Sequence, residues 1–140
     1  MSLAATAPEL AALLTEIPVA REHGFRLVEV ADGACTVEVP FAPALERPGG
    51  VVAGPAFMAA ADVTMWFAIL TRLGTADESV TAHLDTTFVA AARREGFRCT
   101  ARVLKLGSRL IHGVAECVAA DGRLLTHHTI TYARAGPPSF

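Results

Sequence analysis

Hydrophobic positions change their period several times along the chain, and each change marks an element. Leu10, Leu13, Leu14 and Ile17 fall at i, i+3, i+4 and i+7, which predicts a short helix opened by Pro8. Pro18 ends that helix or restarts a further turn up to Gly24. From Phe25 the period drops to two. Phe25, Leu27 and Glu29 alternate with Arg26, Val28 and Val30, Asp32-Gly33 signals a hairpin, and Thr36 to Val39 returns before Pro40. Phe41 to Gly54 carries Pro43, Pro48, Gly49, Gly50 and Gly54, so it reads as a long loop of the kind that tends to be functional.

Pro55 then opens a helix that runs to Leu73 and stops at Gly74. At 1.5 Å per residue it is about 28 Å long. Its apolar residues, from Ala56 and Phe57 through Met65, Trp66 and Phe67 to Leu70, go all the way round, so it must be covered on most sides. Four alternating segments finish the pattern: Ser79 to Ala90, Gly96 to Lys105, Leu110 to Val118 and Leu124 to Ala133. In the first of these, Val80, Ala82, Leu84, Thr86 and Phe88 share one face, and Thr81, His83, Asp85 and Thr87 share the other, so with the apolar set on the helix Thr81 points away from it unless a bulge or the partner subunit brings it in. Helix, two strands, long helix, four strands is an α+β order: an antiparallel sheet with a buried helix against it. One flat sheet covers one side of that helix only. The other side needs a sheet that wraps or a partner subunit, so an oligomer is expected.

Composition narrows the class. The 140 residues fit a single domain, with residues 1–24 as an N-terminal helical segment and residues 134–140 as a loose tail. An apolar fraction of 52% with 19% charged excludes disorder. A net charge of -2 lacks the basic excess of a nucleic-acid binder. Three cysteines, Cys35, Cys99 and Cys117, without a C-x-x-C spacing encode neither a disulfide framework nor a zinc knuckle, and a cytoplasmic, reducing setting is expected. The N-terminus has no secretory signal pattern, and the run Pro55 to Leu70 is too short and polar for a membrane span, which leaves no membrane partner. The histidines show no metal-ligand spacing, and no phosphate loop, dinucleotide fingerprint or G-x-S-x-G elbow occurs, so no metal or cofactor is expected.

Asp62 is the outlier. It is the single ionisable side chain between Pro55 and Thr71, and its helical neighbours Met58, Ala59, Met65 and Trp66 offer no cation. Such a carboxylate is costly unless it faces a cleft or an interface, and it is a candidate nucleophile or general base. A structural aspartate bonded across a subunit contact is the competing reading. The glycine-rich loop leads straight into the helix N-terminus, where free N–H groups suit a polarised carbonyl. Pro55 has no N–H, so Gly54 becomes the leading donor.

Arg47 to Asp62, the Thr81 to Phe88 strand and the Leu106-Gly107-Ser108-Arg109-Leu110 turn resemble the hotdog-fold acyl-CoA thioesterases. The nearest type is the PaaI-like, phenylacetate-degradation group, related to the 4-hydroxybenzoyl-CoA thioesterases. Its motif reads Asn-x-x-Gly-x-x-His-Gly-Gly, six residues, then Asp or Glu, and Gly50, Gly54 and Asp62 stand at the matching spacing. The resemblance spans Pro18 to Ala133. It implies a curved antiparallel sheet of five to six strands wrapped around the long helix, dimers joined edge to edge, tetramers, and two sites at each dimer interface. Arg47 stands at the Asn position, Ala53 at the His position and Pro55 at the second glycine, so two family side chains are absent.

The resulting expectation is an acyl-CoA thioesterase acting as a homodimer or homotetramer. Asp62 from one subunit and the Gly54 amide of the other act on the thioester, with Thr81 at a position where some relatives carry Ser or Thr. Arg47, Gly50 and Ala53 line the substrate, and Arg93, Arg94, Lys105 and Arg109 are cations for the CoA phosphates. The alternatives are an acyl-CoA-binding module without turnover, suggested by Arg47 and Ala53, and an enoyl-CoA hydratase or dehydratase on the same fold.

Overall fold

The computed structural model describes residues 2–135; of the expected tail at residues 134–140, residues 136–140 lie outside them. Two short helices come first, α1 (Ala7–Leu14) and α2 (Pro18–Glu22). Thr6 caps α1 in a capping box with Glu9, which satisfies N–H groups the helix cannot. β1 (Arg26–Ala31) and β2 (Ala34–Val39) form the hairpin over Asp32-Gly33, with Gly33 at φ 70°.

The segment expected as a plain loop holds more structure than its composition suggests. A 3-10 turn (Pro43–Leu45) leads into a two-stranded hairpin, β3 (Glu46–Arg47) and β4 (Val51–Val52). Its turn needs left-handed backbone at Gly49 (φ 107°) and Gly50 (φ 74°), which explains the glycine pair. Helix α3 (Gly54–Leu73) follows, with Ala53 as N-cap, and ends at Gly74 (φ 88°). β5 (Val80–Phe88), β6 (Phe97–Leu106), β7 (Leu110–Val118) and β8 (Leu124–Ala133) complete the chain.

The six long strands make one antiparallel sheet in the order β1-β2-β6-β7-β8-β5. Helix α3 crosses it, carrying the chain from β2 to the far edge at β5. Its buried side, Phe57, Ala60, Ala61, Thr64, Met65, Ala68 and Thr71 among others, packs chiefly on β2 and β6. The helix-facing strand residues are small or β-branched: Cys35, Val37 and Val39; Cys99 and Ala101; Ile111, Ala115 and Cys117; Ile130. Phe97 stacks on Phe57 with ring centroids 4.6 Å apart, closing the core near the start of α3. This is the hotdog arrangement expected from the resemblance.

Met58, Ala59, Asp62, Val63 and Trp66 form the side of α3 left half-open. The two sheet edges also differ. α1 packs on β1, whereas β5 presents nine residues with Val80 63% and Phe88 55% exposed.

Candidate active site

Asp62 sits on the open side of α3, two turns in from the N-terminus. Among the described residues no cation pairs with it. Two hydroxyls do: Thr81 Oγ1 donates to Asp62 Oδ1 at 2.6 Å, and Tyr132 OH to the same oxygen at 2.7 Å. Tyr132 OH also lies 2.9 Å from the Asp62 carbonyl oxygen. Burial holds the Tyr132 phenol well above its usual acidity range, so it remains a neutral donor.

The position of Thr81 corrects the alternation read from sequence. Thr81 pairs with the inward-facing Tyr132, and the register slips between Thr81 and His83. The extra residue, Ala82, is a β-bulge that reverses the parity of everything before it. Leu84 and Thr86 face the helix as expected, but Val80 turns out and Thr81 turns in, away from His83, Asp85 and Thr87.

The second part of the site is at the start of α3. Among the described residues no acceptor takes the Gly54 N–H, Pro55 has none, and Ala56 N–H donates to the Ala53 carbonyl at 3.0 Å. Gly54 opens onto a cleft of about 400 Å³ lined by Arg47, Val51, Val52, Phe57 and Phe88 among others. A Cβ on Gly54 would stand 3.1 Å from the tip of the Phe88 ring, so a side chain there would push that ring and narrow the cleft.

The sequence-derived cations fall into two groups. Arg93 donates to the Gly49 carbonyl at 3.2 Å, and Arg94 lies 3.9 Å from Glu46, so both flank the β3–β4 turn beside Arg47 and Gly50. Among the described residues the guanidinium groups of Arg47 and Arg93 have no carboxylate partner; that of Arg47 bonds the Pro48 carbonyl at 2.6 Å, and only the main-chain N–H of Arg93 reaches a carboxylate, Glu95, at 3.1 Å. Lys105 and Arg109 belong to the β6–β7 hairpin, next to the end of β8 that carries Tyr132. They therefore stand at the Asp62 end, apart from the other three. Ala53 faces a different, smaller cleft with His23, Phe25 and Leu45, so the structure does not bring it to the Gly54 wall.

The histidines hold no metal cluster among the described residues. His128 is buried between Thr86 and Thr126 at 2.8 Å each, and His127 pairs with Glu116.

The profile of the Thioesterase superfamily matches residues 49–126, which contain Gly50, Gly54, Asp62 and Thr81. The chain belongs to this superfamily. It is 32% identical over 99 residues to the esterase-named protein SSO2140 of Saccharolobus solfataricus, covering 71% of this chain and 70% of that one. A thioesterase-named structure from Silicibacter sp. TM1040 is 29% identical with a TM-score of 0.86, over 99% of this chain and 96% of that one. The PaaI protein of the Escherichia coli phenylacetic acid degradation operon shares the fold, with a TM-score of 0.82 over 89% of each chain at 15% identity. Membership supports thioester hydrolysis as the general chemistry.

Within this thioesterase frame, Tyr132 is the residue that sequence reasoning missed. It sits in an alternating strand like any core aromatic, and nothing in its spacing links it to Asp62. Its one legible signal is its place opposite Thr81, which requires the strand order and the bulge.

Proposed function

We propose that the chain hydrolyses acyl-CoA thioesters to free acid and CoA, as a homodimer whose two sites each combine both protomers. One observation carries this reading. Gly54 and Asp62 lie on one straight helix eight residues apart, which separates them by about 12 Å along the axis. A single carbonyl cannot touch both within one protomer. A two-fold partner that brings its Asp62 beside the Gly54 amide completes the site.

The partner's route is supported by the β5 edge, a long, partly apolar strand that otherwise invites uncontrolled pairing. Pairing β5 with its copy also sets the half-open sides of the two α3 helices towards each other. Dimers of these dimers give the tetramer.

In the proposed reaction the thioester carbonyl accepts from Gly54 N–H, which stabilises the charge that develops on oxygen. Asp62 then attacks the carbonyl carbon, or removes a proton from the water that does. If Asp62 attacks, the C–S bond breaks to leave an acyl–Asp62 anhydride, which water then hydrolyses to the free acid and the restored carboxylate; if Asp62 acts as base, the water oxygen adds to the carbonyl carbon and the C–S bond breaks directly. In both routes one proton of the water ends on the CoA thiolate, and the water supplies the oxygen that replaces sulfur. The apolar cleft beside Phe57 and Phe88 receives the acyl group, while the guanidinium groups of Arg47 and Arg93, lacking carboxylate partners, meet anionic groups of the CoA.

A panel of acyl-CoAs from acetyl to long-chain and aromatic, read by free thiol release, tests this. The parent should release thiol and Asp62→Asn should not. Equal release by both overturns the role of Asp62. Binding of the esters without release favours the second reading, an acyl-CoA-binding module, for which Arg47 and Ala53 are the specific ground.

A further inference from the structure

We infer that Tyr132 is a positioning residue for Asp62: with Thr81 it pins Oδ1 and leaves Oδ2 as the oxygen that works at the thioester. The inference rests on the hydrolase reading above and deepens it.

A carboxylate offers two oxygens with about four acceptor sites between them. At Asp62 both hydroxyl donors converge on one oxygen, at 2.6 and 2.7 Å. Among the described residues no donor reaches Oδ2. The torsion that turns a carboxylate is broad and two-fold, so an untethered Asp62 would exchange its oxygens freely. Two donors on one oxygen remove that freedom.

Tyr132 is the firmer of the two anchors. Its ring is 4% exposed in the strand, and its hydroxyl lies within bonding distance of both Oδ1 and the Asp62 main-chain carbonyl. The side chain is thus referenced to the helix backbone as well as to the carboxylate. Thr81 approaches from the neighbouring strand, directly opposite Tyr132 in register. With Oδ1 held, Oδ2 is the oxygen left to meet the substrate carbonyl or its attacking water. A misplacement of about 1 Å at such an atom costs roughly a hundredfold in rate.

The test is Tyr132→Phe in the full chain, which removes the hydroxyl and keeps the ring. With Asp62→Asn as the inactive control, kcat for the best acyl-CoA should fall roughly tenfold to a hundredfold while KM stays within about twofold. Tm should stay within a few degrees of the parent. A crystal structure of the variant should show the Asp62 carboxylate turned or in two orientations. Thr81→Val, which attacks the same oxygen from the other side, serves if Tyr132→Phe fails to fold, and Thr81→Ser should restore the parental rate. Unchanged kcat in Tyr132→Phe, or a rise in KM that accounts for the whole loss, overturns the inference. If the parent itself hydrolyses no acyl-CoA, the hydrolase reading fails instead, and the crystal structure still decides: a single unchanged carboxylate orientation overturns the pinning of Oδ1.

Discussion

Thr81 Oγ1 lies 2.6 Å from Asp62 Oδ1, and one extra residue in β5 puts it there. Without the bulge at Ala82, the alternation fixed by Leu84 and Thr86 would turn the Thr81 side chain away from the helix. The bulge thus re-aims a side chain at the carboxylate. Thr81→Val keeps the shape and removes the hydroxyl. It should lower kcat roughly tenfold, equivalent to ~1.4 kcal/mol of barrier. Thr81→Ser should stay near the parental rate. Steady-state thiol release from one acyl-CoA checks both, and equal rates for Val and Ser would remove Thr81 from the site.

The same bulge marks where sequence reading stops. The elements were legible because their signals are local: a helical stripe at Leu10 to Ile17, Asp32-Gly33, Pro55 after Gly54, and two-residue alternation in four segments. Asp62 was legible because a carboxylate with no neighbouring cation is anomalous in an apolar helix. Alternation alone puts Thr81 on the outer face, and whether a bulge brings it in leaves no composition signal, because the bulge is a property of the β5–β8 pairing. A bulge between Leu27 and Glu29 likewise breaks the alternation read for β1. Tyr132 was invisible for a related reason: its partner lies 70 residues away, and only the assembled sheet brings the two together.

Gly113 tests the packing of α3 on the sheet. It lies in β7 under Met65, and a Cβ there would meet the Met65 thioether and stand 2.6 Å from the Arg102 carbonyl oxygen. The methionine can move; the carbonyl belongs to the paired strand and cannot. Gly113→Ala should therefore destabilise the chain by about 1–3 kcal/mol, the usual cost of overpacking a core. Guanidinium unfolding should show a lower midpoint with the slope unchanged. A variant as stable as the parent would mean that β6 and β7 separate more easily than this register suggests.

Cys35 makes stability sensitive to alkali. It is 2% exposed on the helix-facing side of β2, and burial pushes its thiol up to about 12. Cys99 and Cys117 share a hydrogen bond that raises the Cys99 thiol and lowers the Cys117 thiol, so their effects on proton release oppose each other. Cys35 has no such counterpart: in the folded state it keeps a proton that the unfolded chain loses from about pH 9 upward. The contribution of Cys35 is complete below that pH and declines as the pH rises towards about 12, with a slope of up to about 1.4 kcal/mol per pH unit. Denaturant midpoints between pH 8 and 10.5 should fall, and Cys35→Ala should make the fall shallower. A variant with the parental slope would show that Cys35 does not keep its proton longer in the folded state.

The separation of Gly54 from Asp62 makes a sharper demand than any single variant. If each site takes its amide from one protomer and its carboxylate from the other, two defective chains can rebuild a good site. Asp62→Asn keeps an intact helix start, and Gly54→Val, whose side chain would crowd Phe88, keeps an intact Asp62. Each alone should be nearly inactive. In their heterodimer one site carries both defects and the other carries neither. Random assembly from equal amounts makes half of the dimers mixed, so about a quarter of the parental activity should return. Co-expression with two affinity tags isolates the mixed dimer, in which half of the parental rate per dimer is expected. If the mixed dimer is no more active than its parents while the unmodified chain is active, amide and carboxylate are recruited from the same protomer, and the reacting carbonyl must reach Asp62 without Gly54.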